Sequence, residues 1–276
     1  MTIPAGTSVT LRVPASSANL GPGFDCVGLA LGVWDECTVT VTAEPGLVIE
    51  VEGSGADSVP RDESHLVVRT MITAWQHLDV PPPAGLHLRA TNAVPHGRGM
   101  GSSATAIVGG VAAAHALAVR GGALAGTELD LDVVNGIASA LEGHPDNASA
   151  SVYGGATLSV TDPGGPLPRT RSVPLRLHPQ IEAVVLVPET TLSTHTARAV
   201  LPEVVPLATA AASAVILASG ASSREPDVDT MTGSRTTGVA ASGPVVSSSW
   251  TTSTSGADAS IPTLTTSMRT SATRVS

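Results

Sequence analysis

The apolar and polar positions along the chain predict six β-strands. In Gly85–Val94 the two kinds of residue alternate, which is the period of a half-buried strand. Ile181–Val187 is apolar enough along its length to be buried on both faces. We expect Gly28–Ala43 and Leu47–Val51 to pair as a hairpin around Glu44-Pro45-Gly46. The complete set of predicted strands is Val9–Val13, ended by Pro14, then Gly28–Ala43, Leu47–Val51, Gly85–Val94, Tyr153–Val160 and Ile181–Val187.

Apolar residues recur at helical spacing in three further segments. His65–Leu78 reads as a helix with one face towards the core, and Asp132–Leu141 as a shorter helix. Ser102–Val119 is rich in alanine and apolar on all sides, with a serine pair expected as its N-cap and first turn. Another helix is predicted to begin within Thr190–Arg198, whose start is rich in hydroxyl groups.

A glycine-rich loop lies between the Gly85–Val94 strand and the Ser102–Val119 helix. Gly97, Gly99 and Gly101 alternate with other residues, so the backbone can curl and turn its N–H groups towards an anion. The helix that follows would add its own free N–H groups, which predicts a nucleotide-phosphate site. The chain has no lysine and hence no Walker motif, and the glycine spacing differs from the Rossmann fingerprint. The alternative is a tight strand-to-helix turn in which Ser102 serves only as a cap.

Three other places carry polar side chains suited to a site. Asn19 and Asp25 belong to one loop and offer an amide and a carboxylate to an ammonium group, or else form an Asx turn. Glu142–Asn147 packs two acids, an imidazole and an amide around a proline, which fits either a site or a helix end with Gly143 at C′. Arg198 is either a solvated side chain or a partner for a carboxylate.

Composition narrows the class of partner. The net charge is −9, which disfavours nucleic acid and anionic membranes. Two cysteines are too few for a disulfide scaffold or a structural zinc site, so buried thiols are expected. The first residues lack the pattern of a targeting segment, and no run of 18 uncharged apolar residues was found. We therefore expect a soluble cytoplasmic protein.

Four segments, in this order, resemble the GHMP small-molecule kinases, and within that superfamily the bacterial, actinobacterial-type homoserine kinases. The first is PASSANLGPGFDCVGLAL (Pro14–Leu31), and the second, PHGRGMGSSATA (Pro95–Ala106), is similar to the ATP-binding motif of the family. The third is LEGHPDNASASVYGG (Leu141–Gly155), in which Ala148–Ser151 departs from the usual Val-Ala-Pro-Ala. The fourth is STHTAR (Ser193–Arg198).

The resemblance implies an α+β fold of two domains, a ribosomal protein S5 domain 2-like N-terminal domain and a ferredoxin-like C-terminal domain. It implies transfer of the γ-phosphoryl group of ATP to the side-chain hydroxyl of L-homoserine, a step of threonine biosynthesis, with Mg²⁺. The expected partners are these small molecules, without nucleic acid or membrane, and the chain could assemble as a homodimer.

The same resemblance assigns roles to individual residues. Ser102 and Glu142 would hold Mg²⁺, and the catalytic group would be Asp146, His144 and Asn147. The substrate would be bound by Asn19, Asp25, His144, Thr194 and Arg198. The ATP phosphates would be held by Pro95, His96, Gly97, Arg98, Gly99, Met100, Gly101, Ser102, Ser103 and Ala104.

The likeness weakens from about Leu207. We expect residues 1–155 to form the ATP-binding domain, residues 156–220 a partial C-terminal domain, and residues 221–276 an atypical tail. Of the 56 residues in that tail, 25 are serine or threonine, which is typical of a low-complexity, disordered segment. Two alternatives therefore stay open: a remnant that binds ATP or homoserine without turnover, and a GHMP kinase for another small alcohol.

Overall fold

The structure is a computed structural model that describes residues 2–162, 169–178, 180–190, 197–213, 245–255 and 263–273, the last two ranges by their backbone alone. The strands are β1 (Ser8–Ala18), β2 (Val27–Val41), β3 (Gly46–Gly53), β4 (Gly85–Asn92), β5 (Ala156–Asp162), β6 (Arg169–Leu175), β7 (Val245–Ser255) and β8 (Thr263–Thr273). The helices that pack with these strands are α1 (Leu66–His77), α2 (Ser102–Arg120), α3 (Leu131–Glu142) and α4 (Pro145–Tyr153), and residues 207–213 are also helical.

These strands form one mixed sheet. Its order is β3-β4-β2-β1-β8-β7, and β5 pairs with both β2 and β6. The long strand β2 pairs with β4 through its second half and with β5 through Val27–Leu29, so it joins two parts of the sheet. The α+β fold expected from the sequence is confirmed.

The predicted hairpin between the second and third strands is wrong. The strands themselves exist, but β3 runs parallel to β4, and β4 lies between β3 and β2 as the antiparallel partner of β2. A turn at Glu44-Pro45-Gly46 sends the chain away from β2, and the place beside β2 is taken by a strand that comes about 40 residues later. Local alternation predicts that a strand exists, but it does not choose the strand's partner.

Two predicted strand limits and one predicted strand are also corrected. β1 continues through Pro14 to Ala18, because a bulge between Pro14 and Ser16 takes up the missing N–H of the proline. Tyr153 is the last residue of α4, so the following strand begins at Ala156 instead. Residues 181–187 form no strand, and Leu186 is 90% exposed, since none of the described strands pairs with this segment.

The helical predictions over the first half of the chain are confirmed. α2 is the central helix, and nearly all its side chains are buried between the sheet and the other helices. It crosses α1 closely, because a Cβ on Gly110 would lie 1.9 Å from Thr70 Oγ1, and Trp75 Nε1 donates to Ala114 O at 2.9 Å. By length and hydropathy, Ser102–Arg120 could cross a membrane, but 78% of its most apolar window is buried inside this fold. We interpret it as a core helix.

Candidate nucleotide and substrate site

The loop from Pro95 to Gly101 adopts a conformation that requires glycine. Gly97, Gly99 and Gly101 have φ angles of 67°, 75° and 67°, in the left-handed region that L-residues avoid. The loop is fixed to β1 because Ser16 N donates to Met100 O at 3.1 Å, and the Met100 side chain is buried. The curled backbone expected from the alternate glycines is therefore present.

The N-terminus of α2 follows the loop directly. Gly101 is its N-cap residue and no side chain caps the helix, so the expected cap role of the serine pair is wrong. The first intrahelical bond runs from Thr105 N to Gly101 O, and the earlier N–H groups have no carbonyl partner within the helix. These donors and the helix dipole favour an anion beside Ser102 and Ser103.

Glu142 lies opposite this helix start. It is the last residue of α3, and its Oε2 accepts a hydrogen bond from Ser103 Oγ at 3.0 Å. Burial raises the pKa of Glu142, while the bond from Ser103 acts in the opposite direction. Of the two serines it is Ser103 that contacts Glu142, whereas the sequence pointed to Ser102, whose metal-binding role stays a prediction. Hydroxyl and carboxylate oxygens of this kind fit a hard cation such as Mg²⁺.

A cavity of about 310 Å³ adjoins the loop and the start of α2. It is bordered by His96 of the loop, by Ser102 and Ser103, and by apolar side chains of the sheet and of α1. The His96 end is fixed by the bond from His96 N to Ser54 Oγ at 3.1 Å. A cavity of this size, bordered on one side by Ser102 and Ser103 at the start of α2, is suited to the base and sugar of a nucleotide.

The corner between α3 and α4 places the next group of polar side chains. Gly143 ends α3 with a φ of 85°, His144 is the N-cap residue of α4, and Pro145 occupies its first turn. The predicted helix end at Gly143 is therefore present together with the polar cluster, and the two interpretations do not compete. Proline in the first turn leaves the helix intact because that position needs no N–H donor.

Asp146 is fully buried at this corner. Its Oδ1 accepts from Asn147 N at 2.8 Å and lies 2.7 Å from His144 Nδ1. The bond to Asp146 is the main reason why the pKa of His144 is raised. Oδ2 of Asp146 is also buried, and no described residue donates to it. A buried carboxylate oxygen without a donor is costly, and Oδ2 is the acceptor of Asp146 to which the described residues offer no partner.

Asp25 and Arg198 meet above Asp146 although they are 173 residues apart in the sequence. Arg198 binds both oxygens of Asp25, with Nη1 to Oδ2 at 3.1 Å and Nη2 to Oδ1, and its guanidinium lies 5.3 Å from the centre of the Phe24 ring. Asn19 Oδ1 accepts from Asp25 N at 2.9 Å and so orients Asp25, but this bond spans six residues and is not the predicted Asx-type turn, which joins residues two apart. Bonding to Asp25 raises the pKa of Arg198.

The structure brings most of the predicted substrate residues together. Ligand atoms of Asp25, His144 and Asp146 lie within 4.8 Å of one another, and Arg198 is bonded to the first of them. Thr194 lies outside the described residues. Asn147 links this group to the loop, because its Oδ1 accepts from Ser16 Oγ at 3.0 Å.

The sequence analysis missed two residues that help to position the side chains of the site. Gly28 lets β2 pass against α4, since a Cβ there would lie 2.0 Å from Asp146 O. Ser16 ties β1 to the Asn147 side chain. Both belong to the Pro14–Leu31 motif, but only the three-dimensional contact shows what they do. Of the other predicted phosphate-loop residues, Arg98 donates to Pro188 O at 3.0 Å, and Ala104 is buried.

Comparisons with known proteins agree with this geometry. Residues 65–155 match the family model for the GHMP kinases N terminal domain. The chain is 51% identical over 212 residues to a homoserine kinase of Rhodococcus opacus, and 52% identical over 209 residues to one of Rhodococcus erythropolis. These matches cover 74% and 75% of this chain.

The chain spans a little less than two thirds of the length of these relatives, 66% and 65%. The fold is also that of a solved homoserine kinase structure from Cytophaga hutchinsonii, with a TM-score of 0.61 and 24% identity over 78% of this chain and 66% of that one. The glycine loop, the start of α2 and the Glu142–Asn147 corner all lie in or beside the part that the family model matches. Over residues 65–155 the chain is therefore similar to the N-terminal domain of the GHMP kinases, and over about three quarters of its length to homoserine kinases.

Proposed function

We propose that this chain transfers the γ-phosphoryl group of ATP to the side-chain hydroxyl of L-homoserine. The observation that carries the proposal is the group formed by Asp25, His144, Asp146 and Arg198, whose charges suit an amino acid. This group lies next to the phosphate loop, because Asn147 Oδ1 is 3.1 Å from the place of a Cβ on Gly101. The names of the relatives support the same reaction.

ATP would bind with its base and sugar in the cavity beside His96 and its phosphates along the loop. Main-chain N–H groups of residues 97–103 would be the donors, since the loop contains no lysine to neutralise the phosphates. The Arg98 side chain is already bonded to Pro188 O. The free N–H groups at the start of α2 would face the β- and γ-phosphates.

Ser103 and Glu142 would hold Mg²⁺, with Ser102 beside them. When bound, the ion would neutralise charge on the phosphate oxygens during transfer. Glu142 supplies the negative charge that such an ion needs, and Ser103 Oγ already points at it. Burial of the Glu142 carboxylate is a cost in the metal-free protein that a cation would relieve.

The acceptor hydroxyl would bind at the free oxygen of Asp146. Oδ2 would accept its hydrogen bond and orient the hydroxyl oxygen for in-line attack on the γ-phosphorus. His144 holds Asp146 through Oδ1 and leaves Oδ2 for the substrate. Arg198 would take the substrate carboxylate and Asp25 its ammonium group, while the proton of the hydroxyl leaves through Asp146 or directly to phosphate.

The second candidate is a protein that binds ATP and homoserine without turnover. It is favoured by one observation, that 25 of the 56 residues in 221–276 are serine or threonine, beyond the part of the chain that resembles the family. A phosphoryl-transfer site made by two domains loses activity when part of the second one is replaced, even where the binding residues stay. In either case we place the protein in the cytoplasm, where ATP and free amino acids occur together.

Phosphorus NMR on the purified chain with ATP and Mg²⁺ separates the candidates. The kinase proposal expects an O-phosphohomoserine signal with L-homoserine, and none with mevalonate or galactose. Ser103→Ala should weaken turnover more than Ser102→Ala, because only Ser103 contacts Glu142. ATP binding without a phosphorylated product from any alcohol would support the binding protein and overturn the kinase.

A further inference from the structure

Asp25 and Arg198 neutralise each other in the structure. Both nitrogens at the end of the guanidinium group bind the two carboxylate oxygens, which is the bidentate geometry that makes such pairs strong. The side chains are only 33% and 35% exposed, so water stabilises them incompletely once they are separated. The two groups proposed to recognise the substrate are therefore occupied before it arrives.

The pair lies in an acidic neighbourhood. Asp146 is fully buried within 4.8 Å of Asp25, and Glu142 is a further carboxylate at the end of α3, four residues before Asp146. Arg198 supplies the positive charge that offsets two nearby carboxylates, and His144 pairs with one of them. Taking the guanidinium away from Asp25 leaves like charges facing each other, unless another cation takes its place.

We propose that the Asp25–Arg198 ion pair makes the site selective for zwitterions, because a ligand must carry both an ammonium and a carboxylate group to replace it. This inference rests on the proposed function, whose substrate it restricts by charge. An amino acid exchanges one ion pair for two, so each charged group of the site regains a partner. A ligand with a single charge breaks the Asp25–Arg198 ion pair but gives a new charged partner to only one of the two side chains.

Ligands that carry only one of the two charged groups lose binding free energy to different extents, depending on which group is missing. A hydroxy acid without an ammonium group would draw Arg198 away and leave Asp25 without its arginine partner, within 4.8 Å of the buried Asp146. An amino alcohol without a carboxylate would have to displace a guanidinium of the same charge sign. The displaced Arg198 would still have the Phe24 ring, 5.3 Å away, as a partner. We therefore expect the hydroxy acid to be rejected more strongly than the amino alcohol.

The decisive variant is Asp25→Asn. Asparagine tolerates the φ of 56° at this position, so the loop conformation should be retained. If the pair is a competitor for ligands, its removal frees Arg198, and a hydroxy acid should bind better than it does to the wild type. If Asp25 is only a contact for the ammonium group, a ligand without that group should be unaffected.

Calorimetric titration of the full chain tests this with L-homoserine, 4-hydroxybutanoate and 3-aminopropan-1-ol. Asp25→Asn should lower the affinity for L-homoserine by about tenfold or more and raise the affinity for 4-hydroxybutanoate by about tenfold. One charged partner of this kind contributes about 1.4 kcal/mol or more to binding. Glu50→Gln is the matched control, because Glu50 pairs with Arg89 on another part of the sheet. This change should alter neither affinity.

Unchanged or weaker binding of 4-hydroxybutanoate to Asp25→Asn would overturn the inference, even if L-homoserine is phosphorylated. Binding of L-homoserine with the predicted exchange, but without any phosphorylated product, would sustain the inference and overturn the proposed kinase. Failure of the wild type to bind L-homoserine would overturn both.

Discussion

Ser103 Oγ donates to Glu142 Oε2 at 3.0 Å, and this bond joins the first turn of α2 to the last residue of α3. The two residues are 39 positions apart. The contact puts a partly buried carboxylate at the positive end of a helix dipole, beside a loop of free N–H groups. It is the point where the loop, the proposed metal ligands and the polar corner of α4 come together.

Glu142→Gln should stabilise the metal-free protein and remove its response to Mg²⁺. Burial raises the pKa of Glu142 above 4.5, so the folded state carries the penalty of a charged carboxylate at neutral pH and escapes it in acid. The gain in free energy of unfolding should appear as the pH rises through the raised pKa. Urea unfolding at several pH values measures it.

Mg²⁺ at one hundred times its Kd should stabilise the wild type by about 2.7 kcal/mol and leave Glu142→Gln unchanged. Glu128→Gln, at an exposed position before α3, is the matched control and should respond to Mg²⁺ like the wild type. An equal response of Glu142→Gln to the ion would contradict the proposed metal site.

Gly101→Ala should damage the loop more than Gly99→Ala. Both positions have positive φ, so each alanine brings a strain of roughly 1 to 2 kcal/mol. Only at Gly101 would the new Cβ also clash, at 2.2 Å from Ser16 Oγ, whereas at Gly99 it would meet nothing within 4 Å. Thermal unfolding and ATP titration of both variants measure the difference. Equal losses would show that the contact with β1 does not hold the loop.

Gly28→Ala should displace the α3–α4 corner. The Cβ would lie 2.0 Å from Asp146 O, and a backbone atom cannot move aside as a flexible side chain does. We expect a loss of about 1 to 3 kcal/mol in the free energy of unfolding, with a fall in turnover because Asp146 moves. Gly32→Ala lies on the same strand with nothing within 4 Å of its Cβ, and should change neither quantity. If Gly28→Ala kept the stability and the turnover of the unchanged chain, β2 would not fix the α3–α4 corner.

His115→Leu should make the protein less sensitive to acid. His115 is buried in α2, and burial lowers its pKa below 6.5. As the pH falls from 6.5, the unfolded chain binds a proton that folded His115 does not, so the wild type loses stability in that range.

The advantage of His115→Leu over the wild type should therefore grow between about pH 7 and about pH 5, measured by urea unfolding. The exposed His77, replaced in the same way, is the matched control. A constant difference across this range would contradict the assigned titration.

Much of the fold could be predicted where the determinants are local. The limits of α1, α2 and α3 follow from helical spacing, with glycines also at the ends of α2 and α3, and the corner at Gly143-His144-Pro145 was visible as a helix end. Sheet pairing could not be predicted, because β4 takes the place beside β2 that the alternation assigned to β3. The strand predicted from the apolar residues 181–187 is also wrong, because a strand there would need a partner that the described sheet does not provide.

The site shows the same difference between contacts that follow from local sequence and contacts between distant segments. His144 and Asp146 are two residues apart, so their contact follows from a short rigid segment. The Asp25–Arg198 pair and the choice of Ser103 over Ser102 depend on how distant segments pack, and spacing carries no information about either. The resemblance placed all these residues in one site, and the structure supplied their partners.

The most direct test is a crystal structure of the chain with a non-hydrolysable ATP analogue, Mg²⁺ and L-homoserine. We predict phosphates along residues 97–103, the ion between Ser103 and Glu142, and the homoserine hydroxyl on Asp146 Oδ2, with its oxygen about 3 to 3.5 Å from the γ-phosphorus and in line with the leaving oxygen. A nucleotide bound elsewhere, or a hydroxyl turned away from Asp146, would contradict the account.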